Sequence, residues 1–335
     1  MSIWDGPLGV FDLETTGVDT DVARIVSACV ALLDAEGAVT ARWDWLVDPG
    51  VEVPAAASAV HGITTERART EGRPAAVAIA EIAQTIRVLL ALRVPLTVYN
   101  APYDLTLLDR ECRRHELEPL HTPRPVVDPL VIDKAVDRYR KGKRTLEATA
   151  ELYGVELDGA HDAGADAICA GRLAQALGRA HPEELGLGAD DLHGRQEIWY
   201  AEQAQSFEEY VRGKPGREEY VADRVWPVRP VENPNTFVDT QPLPQLPPQP
   251  GRVPIVDFSE FDARQIAGPE SPLAAEAHRA PEVPFTTLVE SLTVRIEQVE
   301  IDEVETPPAQ TPPAEPAAAA ELPRTTTVLR IAAAI

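Results

Sequence analysis

The first half of the chain alternates between strand-like and helix-like patterns of apolar residues. Three apolar runs joined by short turns predict an antiparallel meander over residues 8–13, 23–34 and 39–47. Two later runs predict short strands at residues 95–99 and 126–128. Apolar positions at helical spacing predict helices over residues 74–92, 105–117, 129–139, 146–153 and 163–180. The resulting order, βββ-α-β-α-β-α, predicts an α/β fold with a mixed sheet and helices on its faces.

The second half changes character after about residue 182. Residues 190–212 predict an amphipathic helix. Its face near Trp199, Gln203, Phe207 and Tyr210 is expected to dock on the core or on a partner, with the core favoured. Beyond Trp226 the chain becomes rich in proline and acidic residues, a composition that favours disorder. We therefore expect a folded domain at 1–182, a helical extension at 183–226 and a mostly disordered tail at 227–335. Because the proline-rich stretch cannot build a core, a chain cut near Gly213 is expected to keep its activity on short substrates.

Charge and cysteine content restrict the function classes. A formal net charge of −23 argues against general adhesion to nucleic acid or to anionic membranes, although one local basic patch can reverse the field at a cleft. No apolar run reaches membrane-spanning length, and the first residues lack a signal-peptide pattern, so we expect a cytoplasmic protein without a membrane partner. Cys29, Cys112 and Cys169 are scattered within apolar patterns and are expected to be reduced core residues.

Two carboxylates at the end of the first strand are the first candidate for chemistry. Side chains alternate along a strand, so Asp12 and Glu14 face one way while Phe11 and Leu13 face the core. Neighbouring carboxylates repel each other, and hard divalent cations such as Mg²⁺ or Mn²⁺ relieve that repulsion. An isolated pair of this kind is equally compatible with a solvated strand end.

Other polar residues recur where predicted elements meet, and each also has a purely structural interpretation. His61 lies in a loop, and Asp104 stands where a helix N-cap is common. In the segment that begins at His161, Asp162 is suited to capping the next helix, which leaves Asp166 without an obvious structural role.

Together these residues form three spaced motifs: Asp12-x-Glu14, Asn100-x-x-x-Asp104 and His161-x-x-x-x-Asp166. Their order and spacing resemble the motifs of DEDDh-type, DnaQ-like 3′→5′ exonucleases. That family includes the proofreading epsilon subunit of bacterial DNA polymerase III, ribonuclease T and oligoribonuclease. The resemblance covers about residues 8–175 and implies an RNase H-like fold, with a five-stranded mixed sheet of order 3-2-1-4-5 flanked by helices. Domain 1–182 would then be the exonuclease domain.

The resemblance also implies a mechanism and a set of roles. Asp12, Glu14, Asp104 and Asp166 would hold two divalent cations, Mg²⁺ or Mn²⁺, and His161 would act as general base. Substrate-binding roles fall to four further positions: Thr15, Thr16, His61 and Asn100.

The implied reaction releases nucleoside 5′-monophosphates from single-stranded DNA 3′ ends, in replication proofreading or repair. An exoribonuclease of the oligoribonuclease or ribonuclease T kind is the alternative enzyme. A non-catalytic scaffold that uses its tail is the alternative of another class. Some relatives bind a DNA polymerase or sliding clamp through a segment after the nuclease domain, and the tail is the candidate for that role here.

One dense basic run stands out in the acidic chain. Residues 138–144 (RYRKGKR) carry five basic side chains just before the helix predicted at 146. The run is either a solvated loop or a surface that contacts phosphates beside the cleft.

Overall fold

The computed structural model describes residues 2–157, 159 and 161–231, and these contain a mixed sheet. The strands are β1 (Leu8–Thr15), β2 (Ile25–Leu33), β3 (Val39–Asp48), β4 (Arg73–Pro74), β5 (Leu96–Thr97) and β6 (Val126–Val127). Their order across the sheet is β4-β3-β2-β1-β5-β6. Strands β1 to β3 pair antiparallel, whereas β5 pairs parallel with β1 and β6 pairs parallel with β5. This is the RNase H-like arrangement that the resemblance implies.

The strand count differs from the prediction. The five predicted strands are present as β1, β2, β3, β5 and β6, and their order β3-β2-β1-β5-β6 is the expected order 3-2-1-4-5. The short strand β4 adds a sixth strand at the edge beside β3. It has only two residues, which pair with Val47 and Asp48. Two residues cannot show an alternating pattern, and one of them is a proline, which sheets accept only at edges or bulges. The sequence pattern therefore could not reveal this strand.

Helices cover the sheet and connect its strands. They are α1 (Ala55–His61), α2 (Thr65–Glu71), α3 (Ala75–Ala91), α4 (Ala101–Arg114), α5 (Pro129–Val136), α6 (Leu146–Leu152), α7 (Ala163–Ala180), α8 (Pro182–Leu185) and α9 (Ala189–Arg212). The two short helices α1 and α2 occupy a region that the sequence pattern leaves as a loop. None of the side chains of α1 is buried and only Ala68 of α2 is, so neither helix shows an apolar stripe. In the described part of the chain, every helix is too short or too polar to cross a bilayer.

The core lies on both faces of β1. Phe11 and Leu13 are buried on one face, in the same cluster as the α3 residues Ile79 and Ile82. On the other face, α7 packs so closely that a Cβ at Gly171 would lie 2.4 Å from Val10 Cγ1. This close packing brings the start of α7 to the end of β1. The three cysteines are buried and unbonded, as the sequence predicts.

Helix α9 packs on the core through only part of the predicted face. Gln196 is fully buried, and Gln203 Nε2 donates to the Val131 carbonyl at 2.9 Å. Phe207 and Tyr210 are instead 53% and 63% exposed, so this half of the face does not dock on the core, the favoured one of the two alternatives. The reason is that the following segment, not the core, meets this end of the helix: the Phe207 ring lies edge-to-face with Tyr220 at 5.9 Å.

Packing continues past the predicted end of the helical extension. Trp226 is 6% exposed within the main core cluster, and Val228 packs against the same cluster. The Arg229 N–H donates to Thr106 Oγ1 at 2.9 Å. We therefore propose that the packed region extends at least to residue 231. The predicted tail from residue 232 onward lies outside the described residues.

Candidate active site

Three carboxylates converge where β1 ends and α7 begins. Asp12 and Glu14 share one face of β1, and Asp166 lies in the first turn of α7. One oxygen from each of these side chains lies within 4.8 Å of the others, and all three side chains are partly exposed. The alternation of side chains along β1 and the close packing of α7 thus bring Glu14 and Asp166 together, although they are 152 positions apart in the sequence.

The cluster is electrostatically costly without a cation. Burial, and then repulsion from Asp104 and Asp166, raise the pKa of Asp12 well above its usual range. Burial followed by repulsion from Asp166 raises the pKa of Glu14 to about 8. Burial also raises the pKa of Asp166, and its Oδ1 is buried with no hydrogen-bond partner among the described residues. Clustered carboxylate oxygens with an unsatisfied member fit a hard divalent cation such as Mg²⁺ or Mn²⁺.

These raised pKa values predict how stability depends on pH when EDTA removes divalent cations. A carboxyl whose pKa is higher in the folded than in the unfolded chain holds its proton longer in the folded state. Unfolding then becomes easier as the pH rises from the ordinary carboxyl range to the folded pKa, about 8 for Glu14. We expect the melting temperature of the wild type in EDTA to fall between pH 5 and pH 9. This fall should be roughly 5 °C larger than that of a Glu14→Gln variant over the same range. Saturating Mg²⁺ should remove this difference, and equal pH profiles for the two proteins in EDTA would contradict the raised pKa.

Asp104 borders the cluster from α4. It is buried in the first turn of that helix, while Asn100 occupies the N-cap position, so Asp104 is not the cap. Burial raises its pKa, with further contributions from Asp128 and Glu14, and backbone groups of Asp104 and Leu13 oppose the shift. Its oxygens are not part of the 4.8 Å group of three, but its charge raises the pKa of Asp12. Asp104 is therefore placed beside the other acids as the motif predicts.

His161 stands at the mouth of the cluster. Its backbone has φ +67°, and its N–H donates to Asp166 Oδ2 at 3.2 Å. The side chain is exposed and lines a cleft of about 370 Å³ together with Glu14 and His61. Asp162 caps α7, because its carboxylate accepts from the Ala165 N–H at 3.0 Å. The predicted capping role of Asp162 is therefore confirmed, whereas Asp166 is not without a structural role, because its Oδ2 accepts the His161 N–H.

His61 reaches the same cleft from the end of α1. Its Nδ1 accepts from the Ile63 N–H at 3.1 Å, so the ring proton of the neutral form is on Nε2. That Nε2 is buried and finds no hydrogen-bond partner in the described residues. Burial lowers the pKa of the imidazole, although the nearby Thr15 backbone opposes the shift, and the lowered pKa favours the neutral form. His61 is thus suited to donate a hydrogen bond to a ligand in the cleft.

The predicted substrate residues Thr15, Thr16 and Asn100 mainly shape the backbone. Thr15 Oγ1 lies 2.6 Å from the Tyr103 hydroxyl, and Thr16 Oγ1 accepts from the Arg24 N–H at 2.9 Å. Asn100 has φ +63° and an exposed side chain. These contacts hold the turn after β1 in place, and direct binding of substrate by the three residues remains a prediction.

The basic run between α5 and α6 is partly used inside the protein. Arg140 and Arg144 pair with the fully buried Asp133 at 2.7 and 2.5 Å. Only Arg138, Lys141 and Lys143 keep their charges exposed. Two of the five basic side chains thus anchor the loop, because Asp133 would otherwise be an unpaired buried charge, and contact of the other three with phosphates stays a prediction.

Comparisons with known proteins agree with the class of site described above. Residues 10–173 match the family model RNase_T, described as Exonuclease. Over 150 residues the chain is 33% identical to the DNA polymerase III subunit epsilon-like protein of Rhodobacter capsulatus. This match covers 44% of this chain and 20% of that protein. It is 26% identical over 174 residues to the PolC-type DNA polymerase III of Streptococcus pneumoniae, over 52% of this chain and 11% of the polymerase. The chain thus spans a fifth or less of the curated relatives it matches.

Solved structures of Exonuclease I are also similar in part. The E. coli enzyme in complex with a dA16 oligonucleotide has 21% sequence identity and a TM-score of 0.46, over 53% of this chain and 41% of that one. With the matched family model and the sheet order, the class is defined: residues 10–173 form an exonuclease domain. This match and the epsilon-like relative agree with the resemblance of the sequence motifs to DnaQ-like 3′→5′ exonucleases.

Some residues that shape the site carry no motif. Asp128, the N-cap of α5, accepts hydrogen bonds from the N–H groups of Asn100 and Ala101. Trp226 approaches the same carboxylate from nearly 100 residues away. The position of Asp128 between a short strand and Pro129 is a sequence signal for a helix cap, but nothing in the sequence links Trp226 to it.

Proposed function

We propose that this protein is a metal-dependent 3′→5′ exonuclease that releases nucleoside 5′-monophosphates from single-stranded DNA. The convergence of Asp12, Glu14 and Asp166, with Asp104 beside them and His161 at the cleft, is the observation that carries the proposal. The match to the exonuclease family model supports the reaction class. The epsilon-like relative favours a role in DNA replication or repair.

The residues have distinct roles in this proposal. Asp12, Glu14, Asp104 and Asp166 would hold two divalent cations, which supply charge stabilisation to the phosphate under attack and lower the pKa of bound water. His161 is exposed at the cleft, where its imidazole would accept a proton from the attacking water. Its backbone hydrogen bond to Asp166 keeps the base beside the carboxylates.

The strand end would occupy the cleft beside Glu14. This cleft of about 370 Å³ also contains His61, Arg67 and the buried Trp45. His61 Nε2–H would donate to the terminal nucleotide, and the turn at Thr15 and Thr16 would contact it. A pocket for one terminal nucleotide requires an unpaired end, and fraying a duplex costs a few kcal/mol per step. Single-stranded DNA is therefore the proposed substrate rather than blunt duplex.

The anchored basic loop would contact the backbone upstream of the scissile phosphate. Glu147, in the first turn of α6 and three residues after Arg144, raises the pKa of Asp166 by charge repulsion, which supports a position of the loop near the carboxylates. Anchoring by Asp133 holds the exposed charges of Arg138, Lys141 and Lys143 on a fixed support. These three cations offset the acidic surface locally.

Salt dependence tests the loop. We expect a 12-nucleotide strand to lose affinity with salt more steeply than a trinucleotide, measured by fluorescence anisotropy in EDTA. Neutralising Arg138, Lys141 and Lys143 to glutamine should reduce the slope of log affinity against log salt by about 2, at about 0.7 per phosphate contact. The same change at three exposed basic residues elsewhere, Arg179, Lys214 and Arg217, is the matched control. Equal slopes for the two triple variants would remove the loop from the binding surface.

Digestion of matched substrates tests the function itself. Single-stranded DNA labelled at its 5′ end should shorten from the 3′ end in Mg²⁺ and stay intact in EDTA. Blunt duplex and RNA of the same sequence should be degraded more slowly. Faster cleavage of RNA would favour the exoribonuclease alternative, and no cleavage of any strand would favour the scaffold.

A further inference from the structure

A buried carboxylate outside the proposed catalytic set joins two helices beside the site. Asp128 is fully buried and is the N-cap of α5, where it accepts from the Leu130 N–H at 3.0 Å. Its two oxygens also accept from the N–H groups of Asn100 at 3.0 Å and Ala101 at 2.9 Å. It therefore satisfies backbone donors at the start of α4 as well as those of its own helix.

The C-terminal extension holds Asp128 in turn. Gln196 of α9 accepts from the Asp128 N–H at 2.6 Å and donates to the Val126 carbonyl at 3.0 Å. Trp226 Nε1 lies 3.4 Å from Asp128 Oδ2 and donates to it, while the indole lies 4.8 Å from the His193 ring. A buried carboxylate with several charge-assisted hydrogen bonds is rigidly placed.

The segment after Trp226 continues along α4. The Arg229 N–H bonds Thr106 Oγ1, and Arg110 donates to the Pro230 carbonyl at 2.9 Å. Thr106 and Arg110 are two and six residues beyond Asp104 on the same helix. The extension thus contacts α4 both at its first turn, through Asp128, and along its length.

We infer that Asp128 is a positioning residue for the active site, and that Gln196 and Trp226 of the C-terminal extension complete it. Asn100 adopts a left-handed conformation that most residues avoid, and its N–H bond to Asp128 stabilises that turn. Asp104 follows within the next turn of α4, so the direction of its carboxylate depends on this anchor. The inference rests on the proposed role of Asp104 as a metal ligand. By this inference, the C-terminal extension helps to position the active-site residues.

The test compares two tryptophans. Trp226→Phe keeps an aromatic ring against His193 but removes the indole donor to Asp128. Trp4→Phe removes an equivalent indole donor, which bonds the Leu185 carbonyl at 2.7 Å near the far end of α7. Both variants of the full chain should melt a few degrees below the wild type. Only Trp226→Phe should lower kcat, by about 5- to 20-fold, with KM changed less than twofold.

Two readouts are independent of turnover. Amide hydrogen exchange of Asn100 and Ala101 should accelerate at least tenfold in Trp226→Phe and not in Trp4→Phe, and calorimetric Mn²⁺ affinity should fall severalfold only in Trp226→Phe. Asp128→Asn, which turns one acceptor into a donor, should exaggerate both effects. Matching exchange and Mn²⁺ affinity in the two tryptophan variants would overturn the inference. An inactive wild type that still showed the selective change in exchange would instead contradict the proposed function alone.

Discussion

Replacing Asp12, Glu14 or Asp166 by alanine should reduce nuclease activity by about 10³-fold or more while leaving the protein folded. The physical reason is that each carboxylate supplies part of a cation site whose charge stabilisation contributes several kcal/mol to the transition state. Each substitution also removes one of several clustered charges, whose pKa values are raised by burial and, for Asp12 and Glu14, by repulsion from Asp166. The melting temperature in EDTA should therefore stay equal or rise. Initial rates in Mg²⁺ and melting curves in EDTA measure the two effects.

A matched control is Glu36→Ala. Glu36 is an exposed acid in the turn between β2 and β3, at the opposite end of the sheet from Glu14. It should change neither rate nor stability beyond a few tenths of a kcal/mol. The metal assignment would be wrong for any cluster acid whose alanine variant kept its rate within tenfold of the wild type.

Replacing His161 should lower kcat by about 10²- to 10⁴-fold, as expected for a lost general base. Calorimetric affinity for Mn²⁺ should change little, because the imidazole is not assigned as a ligand. His161 has φ +67°, a conformation that asparagine tolerates better than alanine does, so His161→Asn separates the loss of the base from backbone strain. Initial rates in Mg²⁺ and Mn²⁺ calorimetry of the His161→Asn variant measure the two effects.

His121 provides the comparison for this histidine. It is exposed and pairs with Glu118 in the loop before β6, away from the carboxylates. His121→Ala should leave kcat and Mn²⁺ affinity unchanged. A large drop in Mn²⁺ affinity for His161→Asn would mean that the histidine binds a cation directly.

The sequence predicts elements well where their pattern is local and strong. Helix α7 begins and ends at the predicted residues 163 and 180, because a cap at Asp162 precedes a long apolar stripe. Strand β1 has Asp12 and Glu14 opposite its core face as alternation requires. By contrast, α1 and α2 bury at most one residue each, so the local pattern carries no signal for them.

The residues of the site are likewise predictable only where a local sequence pattern marks them. The acids and His161 are predictable because each lies at a strand or helix end within a short motif. The support for α4 is not, since it depends on contacts between Asp128 and residues as far away as Trp226. The expectation that a chain cut near Gly213 still digests short single strands stays a prediction, and the role inferred for Trp226 predicts a reduced rate for that chain. Such a cut would remove Trp226 and Arg229 from their partners, so a cut after residue 231 is the better boundary.

The most direct measurement of the central claim is the identity of the product. Wild-type protein and a Glu14→Gln variant would be incubated with single-stranded DNA in Mg²⁺, and the released molecules identified by mass spectrometry over time. Nucleoside 5′-monophosphates should appear one at a time in the order of the sequence from the 3′ end, with wild type only. Release of 3′-monophosphates, internal fragments, or equal products from the Glu14→Gln variant would contradict a 3′→5′ exonuclease built on these carboxylates.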